Sequence, residues 1–341
     1  LYAAAPVKDQ SGKVISLVYL AMPLPSRGLP IESIVQIIGA LLAGGMIASI
    51  IGFVLARGIA RPLEKIDQAA AKVSEGDLDQ QVPIQEGVLE LENLGLSFNR
   101  MTESLRKSTK AKNDFIADVT HELRTPLTVI RGTLETLEDG ALEDAVGRPA
   151  LLTSMSRETS RLIQLVNQLL LLTRSDAGAL SLEFQTLDLE DLAIKRAALM
   201  ETLSIQKRVI IRVAKTGQDL CLARADQART AQVLDNLLDN ALRYAPPGSE
   251  ILLGVENLRS MIQCQVEDTG PGIPAEDLPH IFERFYRVEK SRDRDSGGTG
   301  LGLAIVQSLV EAQGGNVRAI SEWGKGTRMI FQLPAANLSE N

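Results

Sequence analysis

Residues 33–56 contain no charged side chain and are apolar almost throughout. A helix of that length crosses roughly 30 Å of hydrocarbon, and a buried core helix is rarely so long and uniformly apolar. Downstream the apolar positions become periodic. Leu63, Ile66, Ala70 and Val73 are spaced three, four, three, and Leu91, Leu94, Phe98, Met101 and Leu105 three, four, three, four. These spacings predict two short helices with a coiled-coil seam, joined by a polar connector over 76–83. Ile116, Val119, Leu123, Leu127, Ile130, Leu134 and Leu137 form a third stripe, and Met155, Leu162, Val166 and Leu169 a fourth. Between them the segment 139–149 breaks the pattern with Gly140, Gly147 and Pro149. Two helices on a short loop form an antiparallel hairpin. A hairpin this thin cannot bury its own stripe; a second copy completing a four-helix bundle would.

After Ser175 the texture changes. Strands are expected at 180–187, 209–213, 251–255, 262–266 and 327–333, with helices over 189–203 and 226–244 and another after Gly300. This is a mixed α/β sandwich, distinct from the helices before it. At the other end, 4–24 alternates in places around a turn at Asp9–Gly12, as the last strands of a larger domain would.

Charge sets the orientation. Arg57, Arg61 and Lys65 follow the apolar run, whereas Arg27 and Glu32 flank its other side, so the positive-inside rule places everything after Arg57 in the cytoplasm. The net charge of −7 argues against a nucleic-acid partner. Cys221 and Cys264, the only cysteines, are read as reduced. Imidazole chemistry has two candidates, His121 and His280, and His280 is read as a surface or packing residue.

His121 lies in Phe115-Ile-Ala-Asp-Val-Thr-His-Glu-Leu-Arg-Thr-Pro-Leu127, off the stripe formed by Val119, Leu123 and Leu127. Glu122 can polarise the imidazole. Pro126 lacks the N–H that would pair with the Glu122 carbonyl, which loosens the helix beside the histidine. Four further clusters follow in the α/β region. Asn236 and Asn240 are one helical turn apart on Asp235–Tyr244, and amide oxygens suit Mg²⁺. In Glu267-Asp-Thr-Gly-Pro-Gly-Ile273 the Asp268 carboxylate can accept from an exocyclic amine, while Gly270 and Gly272 permit close backbone approach. Ile281-Phe-Glu-Arg-Phe-Tyr-Arg287 pairs aromatics with arginines. Gly297-Gly-Thr-Gly-Leu-Gly-Leu303 opens a helix whose N–H groups can meet phosphate; it is neither a dinucleotide fingerprint nor a Walker loop. Gly324-Lys-Gly-Thr327 precedes the last strand. Taken singly, each cluster has a plain alternative: solvated asparagines, an ordinary turn, core phenylalanines.

The string His-Glu-Leu-Arg-Thr-Pro-Leu resembles the phosphoacceptor box of the HisKA sensor histidine kinases, and the four later clusters resemble the N, first glycine, F and second glycine boxes of the GHKL ATPases. Arg61-Pro-Leu63, Glu75-Gly-Asp-Leu78 and Phe98-Asn-Arg-Met101 resemble a HAMP linker, with Glu92 standing where that family often has glycine. The resemblance implies that His121 is the nucleophile, Glu122 its acid/base partner and Thr125 the residue that positions water for dephosphorylation. It implies a nucleotide site of Asn236, Asn240, Arg243, Tyr244, Asp268, Gly270, Gly272, Ile273, Arg284, Phe285, Gly298, Thr299, Gly300, Leu301, Gly302, Leu303 and Thr327, with Mg²⁺ on Asn240 and a mobile lid over 287–299. The implied chain is multidomain: a sensor-domain remnant (1–30), a transmembrane helix (33–56), a HAMP linker (57–110), a dimerisation and phosphotransfer hairpin (111–178) and an ATP-binding sandwich (179–337). It would sit in the inner membrane with one visible span and cytoplasmic C-terminal domains, dimerise, use ATP and Mg²⁺, and pass phosphate to a response-regulator receiver domain. The rival readings are a GHKL-type ATPase of another class, which would lack the histidine hairpin, and a degenerate scaffold, which would have lost glycines or Asn240.

Overall fold

The computed structural model describes residues 2–23, 30–84, 88–214, 220–288 and 299–336. The chain divides into two compact units, Leu1–Lys110 and Ala111–Asn341.

In the first unit, β1 (Tyr2–Lys8) and β2 (Val14–Ala21) form an antiparallel hairpin. Its turn is held by Asp9, whose carboxylate accepts the N–H groups of Ser11 and Lys13 at 2.8 and 3.0 Å. Helix α1 (Ile31–Leu55) carries the apolar run and continues through one wide π-type turn, Ala56–Ala60, into α2 (Arg61–Ser74). None of the α1 residues is buried, and an 18-residue window of this helical stretch has a mean hydropathy of 2.3. It is therefore no core helix; its length and composition match the thickness and polarity of a bilayer. The connector after α2 is fixed by a small core of Ala69, Val82 and Phe98. Asn99 clamps it, accepting from Val82 N at 2.9 Å and donating to Val82 O at 3.0 Å. The inward face of α2 is Pro62, Ile66, Ala69 and Val73 rather than the expected row through Leu63 and Ala70, which are exposed.

Helix α3 (Leu89–Thr136) runs unbroken through what the stripes divide into two helices. The polar segment 107–114 contains neither Gly nor Pro, so the apolar stripe lapses there without breaking the helix. A π-type turn, Leu137–Ala141, and a loop lead to α4 (Arg148–Asp176). The end of α4 packs on the α/β core through Leu165, Leu171 and Leu172, while Leu127, Leu134, Leu152, Ile163 and Val166 stay exposed on the hairpin.

The α/β part contains β3 (Phe184–Asp188), α5 (Leu189–Leu199), α6 (Glu201–Lys207), β4 (Ile210–Ala214), β5 (Leu222–Asp226), α7 (Gln227–Tyr244), β6 (Glu250–Asn257), β7 (Met261–Asp268), α8 (Gly302–Ala312), β8 (Asn316–Glu322) and β9 (Gly326–Pro334). Strands β4-β6-β7-β9-β8 form one sheet, with β4 parallel to β6 and the other pairs antiparallel; β3 and β5 pair separately. Asp188 and Asp226 cap α5 and α7 by accepting backbone N–H bonds, which satisfies donors the helices leave open. Three local readings differ from expectation. β3 begins at Phe184 rather than 180, the helix over 189–203 breaks at Met200, and β5 and β8 are strands the apolar pattern does not mark. The core lies where alternate β7 residues Ile262, Cys264 and Val266 meet α7 and α8. Phe331 on β9 is fully buried there. Phe331→Ala is expected to cost about 3–5 kcal/mol, read as an earlier denaturant midpoint for the α/β unit; a midpoint within error of wild type refutes that packing.

Candidate functional site

His121 stands exposed on α3, and among the described residues no hydrogen bond, ion pair or ring contact restrains its imidazole. Glu122 is half-buried and faces α4, where Arg161 lies 4.0 Å away; Arg161 also reaches Glu158 at 4.0 Å. Pro126 sits inside the helix and is buried, so the Glu122 carbonyl lacks its usual i+4 donor. Thr125 is exposed and its hydroxyl donates to the His121 carbonyl at 3.3 Å. That bond is long, and it leaves the oxygen lone pairs facing solvent. This face thus offers a free nucleophile, an adjacent carboxylate and a hydroxyl one turn on.

A second centre forms at the end of β7. The Asp268 carboxylate is half-buried, and burial pushes it above the ordinary carboxylate range against the opposing pull of backbone N–H bonds from Gly270 and Thr327. Its Oδ1 accepts from Gly270 N at 2.8 Å. A Cβ on Gly270 would lie 2.7 Å from that oxygen and 3.0 Å from the Tyr244 carbonyl, so only glycine brings this turn against the end of α7. Gly272 has φ +74°, and a Cβ there would lie 2.2 Å from the Glu322 carbonyl. The turn is tied to the β8–β9 hairpin: Ile273 N donates to Ser321 Oγ at 2.8 Å and Gly324 N to Pro271 O at 2.6 Å. Thr327 is buried opposite Asp268 in the β7–β9 register, with its hydroxyl 2.9 Å from Ser321 Oγ.

The remaining residues line α7 and the start of α8. Asn236 donates to Gln232 O at 2.9 Å, and its Oδ1 lies 3.6 Å from where a Gly302 Cβ would be. Asn240 is half-buried, and its amide makes no hydrogen bond among the described residues. Arg243 pairs with Asp239 at 2.8 Å, and Tyr244 is exposed. Gly300, at φ +70°, accepts from Phe285 N at 3.0 Å; a Cβ there would lie 2.8 Å from the Phe285 backbone. Leu301 is fully buried and Leu303 half-buried, and α8 begins at Gly302 without a side-chain cap, which leaves its first N–H groups open to an anion. Arg284 and Phe285 turn toward the helical hairpin: Arg284 bonds Asp176 at 2.5 Å and lies over Phe115. Thr299 likewise reaches Gln168 on α4 at 3.2 Å. Gly298 lies outside the described residues, as does most of the expected lid, 289–298.

The structure therefore brings the Gly270 turn against Asp268 and Tyr244, Gly302 near Asn236 and Gly300 against Phe285, and keeps His121 on a separate element. Sequence reasoning missed Arg161, Gln168 and Ser321, polar residues whose partners lie on other elements. No group of three or more His, Cys, Asp or Glu suited to a metal occurs among the described residues. The available cation donors here are the neutral amide oxygens of Asn236 and Asn240, which are hard ligands of the kind Mg²⁺ accepts beside phosphate oxygens. His280 is a surface residue whose Nδ1 lies 2.6 Å from Glu283 Oε1.

Comparison with known proteins gives three matching family models. A HAMP domain matches 54–107, the His Kinase A (phospho-acceptor) domain 111–178, and the histidine kinase-, DNA gyrase B- and HSP90-like ATPase 225–337. The signal transduction histidine-protein kinase BaeS of Escherichia coli (strain K12) is 34% identical over 291 residues, 85% of this chain and 61% of that protein. The sensor histidine kinase YkoH of Bacillus subtilis (strain 168) is 34% identical over 340 residues, 98% of this chain and 72% of that protein. Among solved structures, the histidine kinase ThkA in complex with the response regulator protein TrrA aligns with a TM-score of 0.55 at 25% identity, over 68% of this chain and 64% of that one.

Proposed function

This chain belongs to the sensor histidine kinases, and from that premise we propose that it transfers the γ-phosphoryl group of ATP to His121 and then to an aspartate of a response-regulator receiver domain. One observation supports the reading: the Gly270 turn lies against Asp268 and Tyr244, the Gly302 position lies 3.6 Å from Asn236 Oδ1, and Gly300 packs on the Phe285 backbone beside an α8 start that has no side-chain cap.

Phosphoryl transfer needs in-line positioning and charge neutralisation more than covalent help. Asp268 accepts the exocyclic amine of adenine, and Gly270 and Gly272 bring the backbone close to the ring. Asn240, assisted by Asn236, holds Mg²⁺, which neutralises phosphate charge when bound. Gly300 and Gly302 border the phosphates at the α8 N-terminus, with Thr299, Leu301, Leu303 and Thr327 shaping the floor and Ile273, Phe285, Arg243 and Tyr244 the rim; Gly298 is assigned to the same loop from the sequence alone. Arg284 contributes positive charge. An imidazole nitrogen of His121 attacks the γ-phosphorus as its bond to the bridging oxygen breaks and ADP leaves with that oxygen, while Glu122 orients the ring and takes the proton of its other nitrogen.

The exposed leucines and valines of the hairpin, together with Leu94, Met101 and Leu105 on α3, support a homodimer, since a second copy would bury them. The domain division is read as 1–30, 33–56, 57–110, 111–178 and 179–337, with α1 spanning the inner membrane once and all that follows cytoplasmic. The deciding experiment is incubation of the full chain in lipid nanodiscs with γ-labelled ATP and Mg²⁺. Label that is lost in acid and kept in alkali is expected; no label, or acid-stable label, overturns the proposal.

Thr125 tests a second activity on the same helix face. A water attacking the partner's phospho-aspartate is held by its hydroxyl, so Thr125→Ala is expected to slow receiver dephosphorylation roughly 10²-fold while sparing phosphoryl transfer to and from His121. A parallel fall in both rates assigns Thr125 to the bond back to His121 O and ends the phosphatase role.

A further inference from the structure

Helices α7 and α8 carry the two halves of the proposed phosphate site, and a buried polar contact joins them at the end away from it. Gln313, the residue that ends α8, is 2% exposed, and Thr230 on α7 is fully buried. The Gln313 side-chain oxygen accepts from the Asp226 N–H at 2.8 Å and from the Thr230 hydroxyl at 3.2 Å. Its nitrogen donates to the Leu309 carbonyl at 2.9 Å. One carboxamide thus serves the last turn of α8 as donor and the first turn of α7 as acceptor. Asp226 is itself fixed, because its carboxylate accepts from Arg229 N at 3.0 Å and from Glu183 N at 2.8 Å. At the other end of α8, a Cβ on Gly302 would lie 3.6 Å from Asn236 Oδ1.

We propose that Gln313 is a positioning residue that sets the register of α8 against α7, and with it the alignment of the α8 N-terminus with Asn236 and Asn240. The inference rests on the kinase reading above. Gln313 stands roughly 16 Å along the helix from Gly302, so it acts on nucleotide only through α8. Between the two ends α8 packs through apolar side chains, Ile305, Val306 and Leu309 among them. Apolar contact is non-directional and tolerates a small slide or rotation, whereas a hydrogen bond holds within a narrow range of distance and angle. A fully satisfied buried network therefore selects one register where apolar packing accepts several. The adenine end of the site lies outside these contacts, since Asp268 and Gly270 belong to β7 and its turn. Loss of the network is thus expected to misplace the phosphate groups and spare the base.

The test uses the full chain in lipid nanodiscs with Gln313→Met, Thr230→Val and Thr230→Ser. Three quantities are measured: Kd for a non-hydrolysable ATP analogue with Mg²⁺, Kd for adenosine, and backbone hydrogen exchange over 305–308. Gln313→Met keeps the length of the side chain and removes both polar atoms. It is expected to bind the analogue about tenfold more weakly and adenosine as wild type does, with faster exchange. Thr230→Val is expected to lose about threefold for the analogue alone, and Thr230→Ser, which keeps the hydroxyl, to match wild type. A lower melting temperature with unchanged analogue affinity makes Gln313 structural only and overturns the proposal. An equal loss for analogue and adenosine overturns it as well. Should Gln313→Met fail to fold, the Thr230 pair decides: equal analogue affinity in the valine and serine variants overturns the positioning role. The exchange arm reads the register without nucleotide, and unchanged exchange in the methionine and valine variants refutes it. A wild type that binds no Mg²⁺-ATP analogue counts against the kinase reading instead.

Discussion

His121→Gln abolishes phosphate incorporation and leaves ATP binding at its wild-type value. Glutamine keeps a similar reach and can hydrogen-bond, but its amide nitrogen carries no lone pair free to attack phosphorus. The residue is exposed on α3, and among the described residues its side chain makes no hydrogen bond, ion pair or ring contact, so its replacement is expected to alter neither the packing of the sheet nor the nucleotide corner. No other histidine stands ready: His280 follows a turn in the α/β unit and is held against Glu283. Incorporation is expected to fall to background, a loss of at least about 10³-fold, consistent with removal of a covalent nucleophile. Calorimetric titration with a non-hydrolysable ATP analogue measures the unchanged affinity. Acid-labile label on the variant would show that phosphate enters elsewhere.

Asp268→Asn separates nucleotide recognition from folding. The carboxylate is held above the ordinary carboxylate range chiefly by burial. Its contribution to stability is thus full below the unfolded-state value and is lost as pH rises through the folded one. At neutral pH the empty domain carries that cost, and asparagine, which resembles the protonated acid, removes it. The Asn oxygen can still accept from Gly270 N. The variant without nucleotide is therefore expected to melt at or slightly above the wild-type temperature. ATP affinity goes the other way. An adenine amine loses a charge-assisted acceptor and meets an amide in its place, about 3 kcal/mol or roughly 10²-fold in Kd. For the wild type the same linkage predicts that ATP binding weakens on acidification at a higher pH than an ordinary aspartate would give. Retained affinity in Asp268→Asn would move adenine recognition to another group; a lower melting temperature would mean that the ionised carboxylate supports the fold.

The sequence by itself determined whatever is written at short range. The uncharged run of α1, the heptad spacings, the His121 string and the glycine clusters each need only a dozen or so neighbouring residues, because a helix turn or a tight turn closes within that span. The α/β unit was legible for the same reason, through alternation on β7 and β9 and the amphipathic face of α7. Short-range reasoning failed where the deciding partner is remote. β5 offers two buried alanines and β8 one half-buried edge face, too little apolar contrast to mark a strand until β3 and β9 pair with them. The α2 face turned from Leu63 and Ala70 to Pro62 and Ala69 because Val82 and Phe98 approach from that side.

Tertiary structure alone decided the site's geometry. Glycine at 272 can be read from the sequence as a turn, but its necessity comes from the Glu322 carbonyl fifty residues away. Thr327 meets Asp268 only through the β7–β9 register, and Arg284 meets Asp176 across 108 residues. Sequence fixes which residue types are present and how they repeat along a helix or strand. Which of them face one another depends on strand register and helix docking, and these follow from burying the whole core at once rather than from any local preference.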